Sequence, residues 1–528
     1  MRSQLAAAAL LTLLARPVAA EAPPACAPDA VVLLDGLGTP DDDLARLAEL
    51  AGAAPASSQL IRRGGFRVQP VCAEATRVGW LGRLAVPEPA ERGWLALPAR
   101  LETTWNSQYP SGGNDGLLAA GRGFSTQVRA GVAGRWGVVS AALAPEVAWQ
   151  QNRWFETVPT GKPGDLALQS PWYGDNLDVP QRFGNGPFAR AGLGQSYLRV
   201  DAFGAAAGVS TENLWLGPGL RNGILLTNNA PGFPHLFLGT ARPVDIYVGS
   251  LEVLAVWGPL ERSRHVPAPG HPWFSALALT YQPRWIPGLY LGAARSFVQS
   301  PAMFRRRDGL AILVGWPGGI LTRGNFPDDN QAVSGWFRWV MPEAGFELYG
   351  EWARDDAALN FGALVRDPDW TQGWVWGFQK LLRAGDRLVR VHVEATRLHN
   401  FRPNGGWSWY VHGAGVDSTN AGQLLGAAAG PGGDSQRLAV DLLTAGGRVG
   451  GFVERSARNE EAYWSVIDPQ PGRAGQHDAE LVAGYRQVLL VSGAELSLEL
   501  SAAYRWNRDF LRNEPNYRGA VAYSYLYW

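Results

Sequence analysis

At 528 residues the chain has room for several ordinary domains or for one long barrel. Its 47 basic and 47 acidic residues cancel to a formal net charge of zero, so no electrostatic footprint for nucleic acid is visible. The basic side is almost all arginine, with Lys162 and Lys380 the only lysines, as a GC-rich genome would give.

Residues 1–20, "MRSQLAAAALLTLLARPVAA", read as a secretory signal: Arg2 is the positive start, Leu5–Leu14 the apolar stretch and Val18-Ala19-Ala20 the small-residue cleavage site. The chain has two cysteines, Cys26 and Cys72, which an exported protein is expected to pair as a disulfide. Two thiols with no nearby histidine do not make a metal site, and Cys26 has no convincing lipobox for a lipid anchor. "TPDDDLARLAEL" (39–50) predicts a helix. Thr39 is its N-cap, Pro40 its first position, three aspartates sit at the positive end of the dipole, and Leu44, Leu47 and Ala48 share a face. Residues 56–63 and 70–84 read as shorter helical or irregular pieces. Together, 21–90 form a small, partly helical periplasmic cap, tied by the disulfide and packed on the lower mouth of whatever follows.

From 91 to 528 the period is two. In "YLRVDA" (197–202), Leu198, Val200 and Ala202 oppose Tyr197, Arg199 and Asp201; in "LVRVHVEAT" (388–396), Val389, Val391, Val393 and Ala395 oppose Arg390, His392, Glu394 and Thr396. "AELSLELSAAYRWNR" (494–508) puts Leu496, Leu498, Leu500, Tyr504 and Trp506 opposite Glu495, Ser497, Glu499 and Arg505. Such alternation makes a strand with one apolar and one polar face. No run of 18 apolar residues follows the signal, so no helix spans a bilayer, and a secreted sandwich or an outer-membrane barrel remains. Strand length favours the barrel: these segments exceed the roughly 5–6 residues usual in globular sheets and suit the roughly 9–11 needed to cross hydrocarbon. Short turns at 203–208, 284–288, 342–345, 383–386, 445–448 and 491–494 alternate with long polar loops, the two-rimmed pattern of an outer-membrane barrel, here of about 16 to 18 strands. In the last strand the face carrying Trp528, Leu526, Ser524 and Ala522 is expected toward lipid, and that of Tyr527, Tyr525, Tyr523 and Val521 toward the lumen. Alternating apolar residues ending in an aromatic are also what the outer-membrane assembly machinery reads.

No nucleophile elbow, H-E-x-x-H or phosphate-binding loop is present, and the glycine-rich "GRGFST" (121–126) and "GPGGDS" (430–435) serve turns. "PDDN" (327–330) reads as a solvated loop tip, and Glu495 and Glu499 as luminal charge pairs with basic neighbours such as Arg390 or Arg486. No catalytic residue, cofactor or metal is called for. The loops are more informative: 170–188, 213–237 and 404–435 mix aromatics with Asn, Asp, Arg and Gly. Aromatic faces stack on sugar C–H groups while the polar partners fix hydroxyls. The same aromatics can instead pack the loops onto the barrel. Trp172, Trp215, Asn228, Asn229, Trp407, Trp409 and Tyr410 are the candidates to form or support a carbohydrate-binding surface.

"TENLWLGPG" (211–219), "LLTNNAPGFPHL" (225–236), "YPSGGNDG" (109–116), "APEVAWQQN" (144–152) and "GQLLGAAAGPGGDS" (422–435) resemble the Wzi family of capsule-assembly outer-membrane proteins, from about residue 93 to the end. The resemblance implies an 18-stranded barrel with a periplasmic helical bundle, in the cell outer membrane. It implies a surface lectin that attaches and organises capsular polysaccharide, and not an enzyme. It supplies no contact residues, and the cysteine pair is a feature it does not predict. A porin or solute channel is the competing expectation. The expected partners are capsular polysaccharide, outer-membrane lipid and the assembly machinery, with no nucleic acid.

Overall fold

The computed structural model describes residues 28–525 except 35, 66, 73–84, 87–91, 268–269, 302–328, 357–360, 368, 386, 400–407 and 492. The period-two segments become one antiparallel sheet closed on itself. In chain order its staves are Arg92–Asn106, Gly123–Trp136, Val139–Leu143 with Glu146–Gln150, Phe188–Gly192 with Tyr197–Ala202, Ala205–Ser210, and His235–Thr240 with Val244–Asp245. They continue as Gly249–Pro259, Trp273–Pro283, Leu289–Gln299, Asp329–Met341, Phe346–Asp355 and Gln372–Ala384. Arg387–Arg397, Asp434–Thr444, Gly447–Arg458, Asp478–Val491, Ala494–Arg508 and Arg512–Tyr525 complete them. Three staves are broken in two, so 21 paired segments make 18 strands. The last strand closes on the first, with Tyr525 opposite Ala99 and Arg518 opposite Asn106. Closure removes the unpaired edges that hydrocarbon would not tolerate.

The outside is apolar: Leu198, Val200, Leu500, Tyr504 and Trp506 are all exposed, while Arg390, His392, Glu394 and Thr396 are buried on the axial side. One face assignment is corrected. In the final strand Val521, Tyr523 and Tyr525 point outward and Ala522 and Ser524 inward. Cross-strand register is the reason: Tyr523 lies opposite Leu496 and Ser524 opposite Glu495, and directly paired residues share a face. Trp528 lies outside the described residues. The turn expected over 203–208 is also shorter. Phe203 and Gly204 alone make it, both at positive φ (53° and 81°), as a two-residue hairpin of the primed type requires, and Ala205–Ser210 is already strand.

The helix forms over Pro40–Leu50, with the Thr39 side chain accepting from the Asp42 N–H. It sits inside the barrel and not merely on its mouth. Leu44, Leu47 and Leu50 are buried in a cluster with Leu214, Leu216, Ile224, Phe274 and Tyr349. Each such leucine contributes roughly 1.5–3 kcal/mol. The luminal wall in the same buried cluster includes small apolar residues, Ala276, Ala278, Ala294 and Ala353, which leave room inside the barrel. Asp43, Arg46 and Glu49, three residues apart, form the helix's charged stripe. Asp43 meets Arg390 and Arg448, Arg46 meets Glu347, and Glu49 meets Arg338. The stretch 56–60 is irregular, as expected, while 61–63 and 70–72 are strand instead, and 73–84 lie outside the described residues. Ile61–Arg63 pairs with Leu214–Leu216 in the lumen, and Arg67–Cys72 joins Pro28–Leu34 and Ala85–Val86 in a small sheet. Cys72 is disulfide-bonded; Cys26 and residues 1–20 lie outside the described residues.

Candidate functional site

The segment Thr211–Pro234 leaves its strand and folds into the barrel rather than outward. Its backbone is caught by carboxylates on the wall: the N–H groups of Leu220, Arg221 and Asn222 donate to Glu394 at 2.7–3.1 Å, and that of Ile224 to Glu351 at 3.2 Å. Three N–H groups on one carboxylate form an anion nest, here filled by the protein itself. From below, the Arg62 guanidinium donates to Gly219 O at 2.6 Å and lies 4.5 Å over the Trp215 ring. Arg46 reaches Pro218 O. The helix segment and the inward loop thus lock together through short strands and cation–π contact.

The outer loops are tied to this lock and to one another. Asn228 donates to Leu37 O at 2.8 Å and to Asn114 O at 2.9 Å; Asn229 donates to Leu424 O at 3.1 Å and accepts from Asn114 N–H. Gln423 donates to Gly116 O and Asn229 O, both at 3.0 Å. The Tyr410 hydroxyl donates to Ile224 O at 2.8 Å and accepts from the Ala427 N–H at 2.9 Å, with Tyr410 itself at φ 71°. Burial pushes its phenol well above its usual range. The Asp178 N–H donates to Asp417 at 2.7 Å, Ser263 N–H to Asp178 at 2.6 Å, and Arg262 pairs with Asp417. Burial pushes the Asp417 carboxyl up in spite of that arginine.

The sequence candidates therefore fall into two sets. Trp215 (0 % exposed), Trp409 (3 %) and Tyr410 (2 %) are buried and offer no ring face to an outside ligand; they brace the loops. Asn228 and Asn229 are half-buried and spend their amides on other loops. Trp172 is half-buried, edge-on to Phe510 at 5.1 Å, against Ala462, Tyr463 and Ile467. Trp407 lies outside the described residues. Exposed aromatics on the long connecting segments that the sequence reading did not single out include Trp154 (68 % exposed), Trp370 (38 %) and Trp464 (39 %). Asp175 and Asn176, close to Trp172 in sequence, are exposed, and Asn176 O accepts from the His412 N–H at 3.1 Å, joining two long loops. No short motif marks Trp154, Trp370 or Trp464, because single exposed aromatics carry no spacing signal.

Below the loops lies a polar cavity of about 340 Å³, bounded by residues 36–43 of the plug, 111–117 of the first loop and the strands carrying Arg390, Glu454, Arg486 and Glu499. Glu499 pairs with Arg518 at 2.6 Å, not with Arg390 or Arg486, and Arg437 with Glu454 at 2.7 Å, so this wall carries paired charge. Among the described residues no cluster of three or more His, Cys, Asp or Glu could hold a metal.

Comparison with known proteins reports on this architecture. The family model for capsule assembly protein Wzi matches residues 113–517. No curated protein matches the chain. Among solved structures, Wzi of Escherichia coli, described as an outer-membrane protein involved in group 1 capsule assembly and a carbohydrate-binding β-barrel, is 15% identical. It superposes with a TM-score of 0.59 over 93% of this chain and 99% of its own. A BenF-like porin from Pseudomonas fluorescens Pf-5 (10% identical, TM-score 0.39, 82% and 98% covered) and OprD from Pseudomonas aeruginosa (10%, 0.39, 81% and 92%) are more distant.

Proposed function

The chain belongs to the Wzi family of capsule assembly proteins, and from that premise we propose that its loop face retains an exported, capsular-type polysaccharide at the outer membrane. The supporting observation is the interlocked loop platform: Asn114, Asn229, Tyr410, Gln423 and Asp417 fix loops distant in sequence into one surface over a lumen that the helix and the inward loop partly occupy. A rigid face loses little conformational entropy on binding. Repeating sugars on many barrels then add through effective concentration rather than through one tight site. In this reading Trp215, Trp409 and Tyr410 support the surface from beneath, and Trp172, Trp464, Asp175 and Asn176 stand where glycan can touch. The protein acts as a lectin-like binder and not as a catalyst. Its lipid-facing aromatics meet the bilayer interface, and its last strand is what the assembly machinery handles. Residues 1–20 are the export signal, 21–90 a periplasmic cap whose helix enters the lumen as a plug, and 91–528 the barrel.

The porin alternative is disfavoured by the helix and inward loop that occupy the lumen. Deleting the gene is expected to release polysaccharide into the medium while total synthesis is unchanged; unchanged surface-bound glycan would refute retention. A large steady conductance of the purified protein in planar bilayers would favour the channel.

A further inference from the structure

The plug helix places one carboxylate, Asp43, against the barrel wall in a way unlike its other contacts. Arg46 and Glu49 are sealed, with no solvent exposure at either side chain. Asp43 keeps 17% exposure and borders the 340 Å³ cavity, as do its partners Arg390 and Arg448 and the neighbouring Arg486. Arg390 Nη1 donates to Asp43 Oδ1 at 2.5 Å, and Arg448 donates to the other oxygen. The two guanidiniums come from strands Arg387–Arg397 and Gly447–Arg458, which belong to the barrel and not to the plug. Arg390 is held from behind. Asp441 accepts from Arg390 Nε at 3.0 Å and from Arg486 Nε and Nη2 at 2.7 and 2.6 Å. The wall therefore presents a preorganised fork for one carboxylate, rimmed by a cavity in the range of about 300–1,000 Å³ that small-ligand pockets occupy.

We infer that the lumen contains a binding site for a compact carboxylate-bearing solute, such as a sugar acid, and that Asp43 of the plug is its tethered occupant. The site is built by Arg390 and Arg448, with Asp441 and Arg486 as positioning residues. A soluble carboxylate competes with Asp43 for the same two guanidiniums, and the cavity holds the remainder of the solute. The inference is independent of the loop-face reading: the loops can fail to bind glycan while this site stands, and the reverse.

The test uses the full-length protein folded in detergent, with fold checked by heat-dependent gel mobility. Calorimetric titrations with glucuronate, acetate and glucose are compared for wild type, Asp43→Ala and the double variant Asp43→Ala with Arg448→Gln. Removing Asp43 should tighten glucuronate binding at least tenfold over wild type and at least tenfold over glucose, and the added Arg448→Gln should abolish that preference. Acetate binding as tightly as glucuronate would assign the site to carboxylates in general; weaker acetate binding would assign it to sugar acids. Asp43→Asn, which keeps the side-chain shape, serves as the second variant and should behave likewise. Equal affinities for wild type and both Asp43 variants, no discrimination against glucose, or retained preference in the double variant would each overturn the proposal. So would failure of both Asp43 variants to fold, because a vacated ligand site should be filled by water.

Discussion

Glu347 is the carboxylate on which the plug's buried charge depends. It accepts from Arg338 Nε at 3.1 Å and Nη2 at 3.2 Å, from Gln379 at 3.1 Å and from Arg46 of the helix, with no solvent exposure on either side of the Arg46 pair. In Glu347→Gln two guanidiniums remain with one carboxylate, Glu49, bound to Arg338 at 2.7 Å. Removing one partner of a buried ion pair costs about 3–5 kcal/mol, because the other charge is left desolvated without compensation. At about 1.4 kcal/mol per decade, the docked-to-undocked ratio of the plug should fall by roughly two to three and a half orders of magnitude. Limited proteolysis of the 36–63 segment in folded protein reads this ratio directly when reclosing is fast. Adding Arg46→Met, which removes the stranded cation, should recover part of the loss. A cleavage rate in Glu347→Gln equal to wild type, with the barrel intact, would refute the claim that this pair holds the helix.

Glu394→Gln removes the charge from the nest under Leu220–Asn222. At about 1.5–3 kcal/mol for a hydrogen bond to a charged group, amide exchange at 220–222 should accelerate at least tenfold while the strands stay protected. Tyr410→Phe strands the Ala427 N–H and Ile224 O; loss of about 1–3 kcal/mol should appear as faster exchange across 424–429, and unchanged exchange would show the hydroxyl to be dispensable. Burial works against the Asp43 charge, yet Arg390 and Arg448 hold its carboxyl well below the ordinary 3.8. A depressed folded value means the contribution to plug docking is complete above 3.8 and is lost as pH falls below it toward the folded value. Protease access to the plug should rise in that acid window in wild type, and the Asp43→Asn variant should lack this component.

The barrel was legible because the bilayer imposes a two-residue period over long strands, seen plainly in 388–396 and 494–508. The helix was legible from Thr39, Pro40 and the aspartates, since capping chemistry is local. The faces of the last strand were not: with Ala520, Ala522 and Ser524 against Val521, Tyr523 and Tyr525, hydrophobicity alone does not choose, and the register with Glu495 and Leu496 decides. Nor was the inward course of 211–234. "LWLGPG" and "NNAPGFP" carry the family resemblance, but the stretch between them, 220–224, is held by Glu351 and Glu394, more than a hundred residues away. Nor does sequence divide the loop aromatics into those that form a surface and those that support it: Trp215, Trp409 and Tyr410 are buried here, and burial is decided by contacts distant in the chain.

The pairing of 61–63 with 214–216 inside a barrel whose seam joins the strand after the plug to the last strand bears on the order of assembly. That seam links partners roughly four hundred residues apart, so it forms late, although its entropy cost grows only logarithmically with separation. The stretch synthesised early thus ends enclosed by staves synthesised after it. It must be gathered while the wall is still open, or be threaded from beneath into a finished cylinder. Slowing seam formation without touching the interior would tell these routes apart, because only the first leaves an interior packed before the wall is complete.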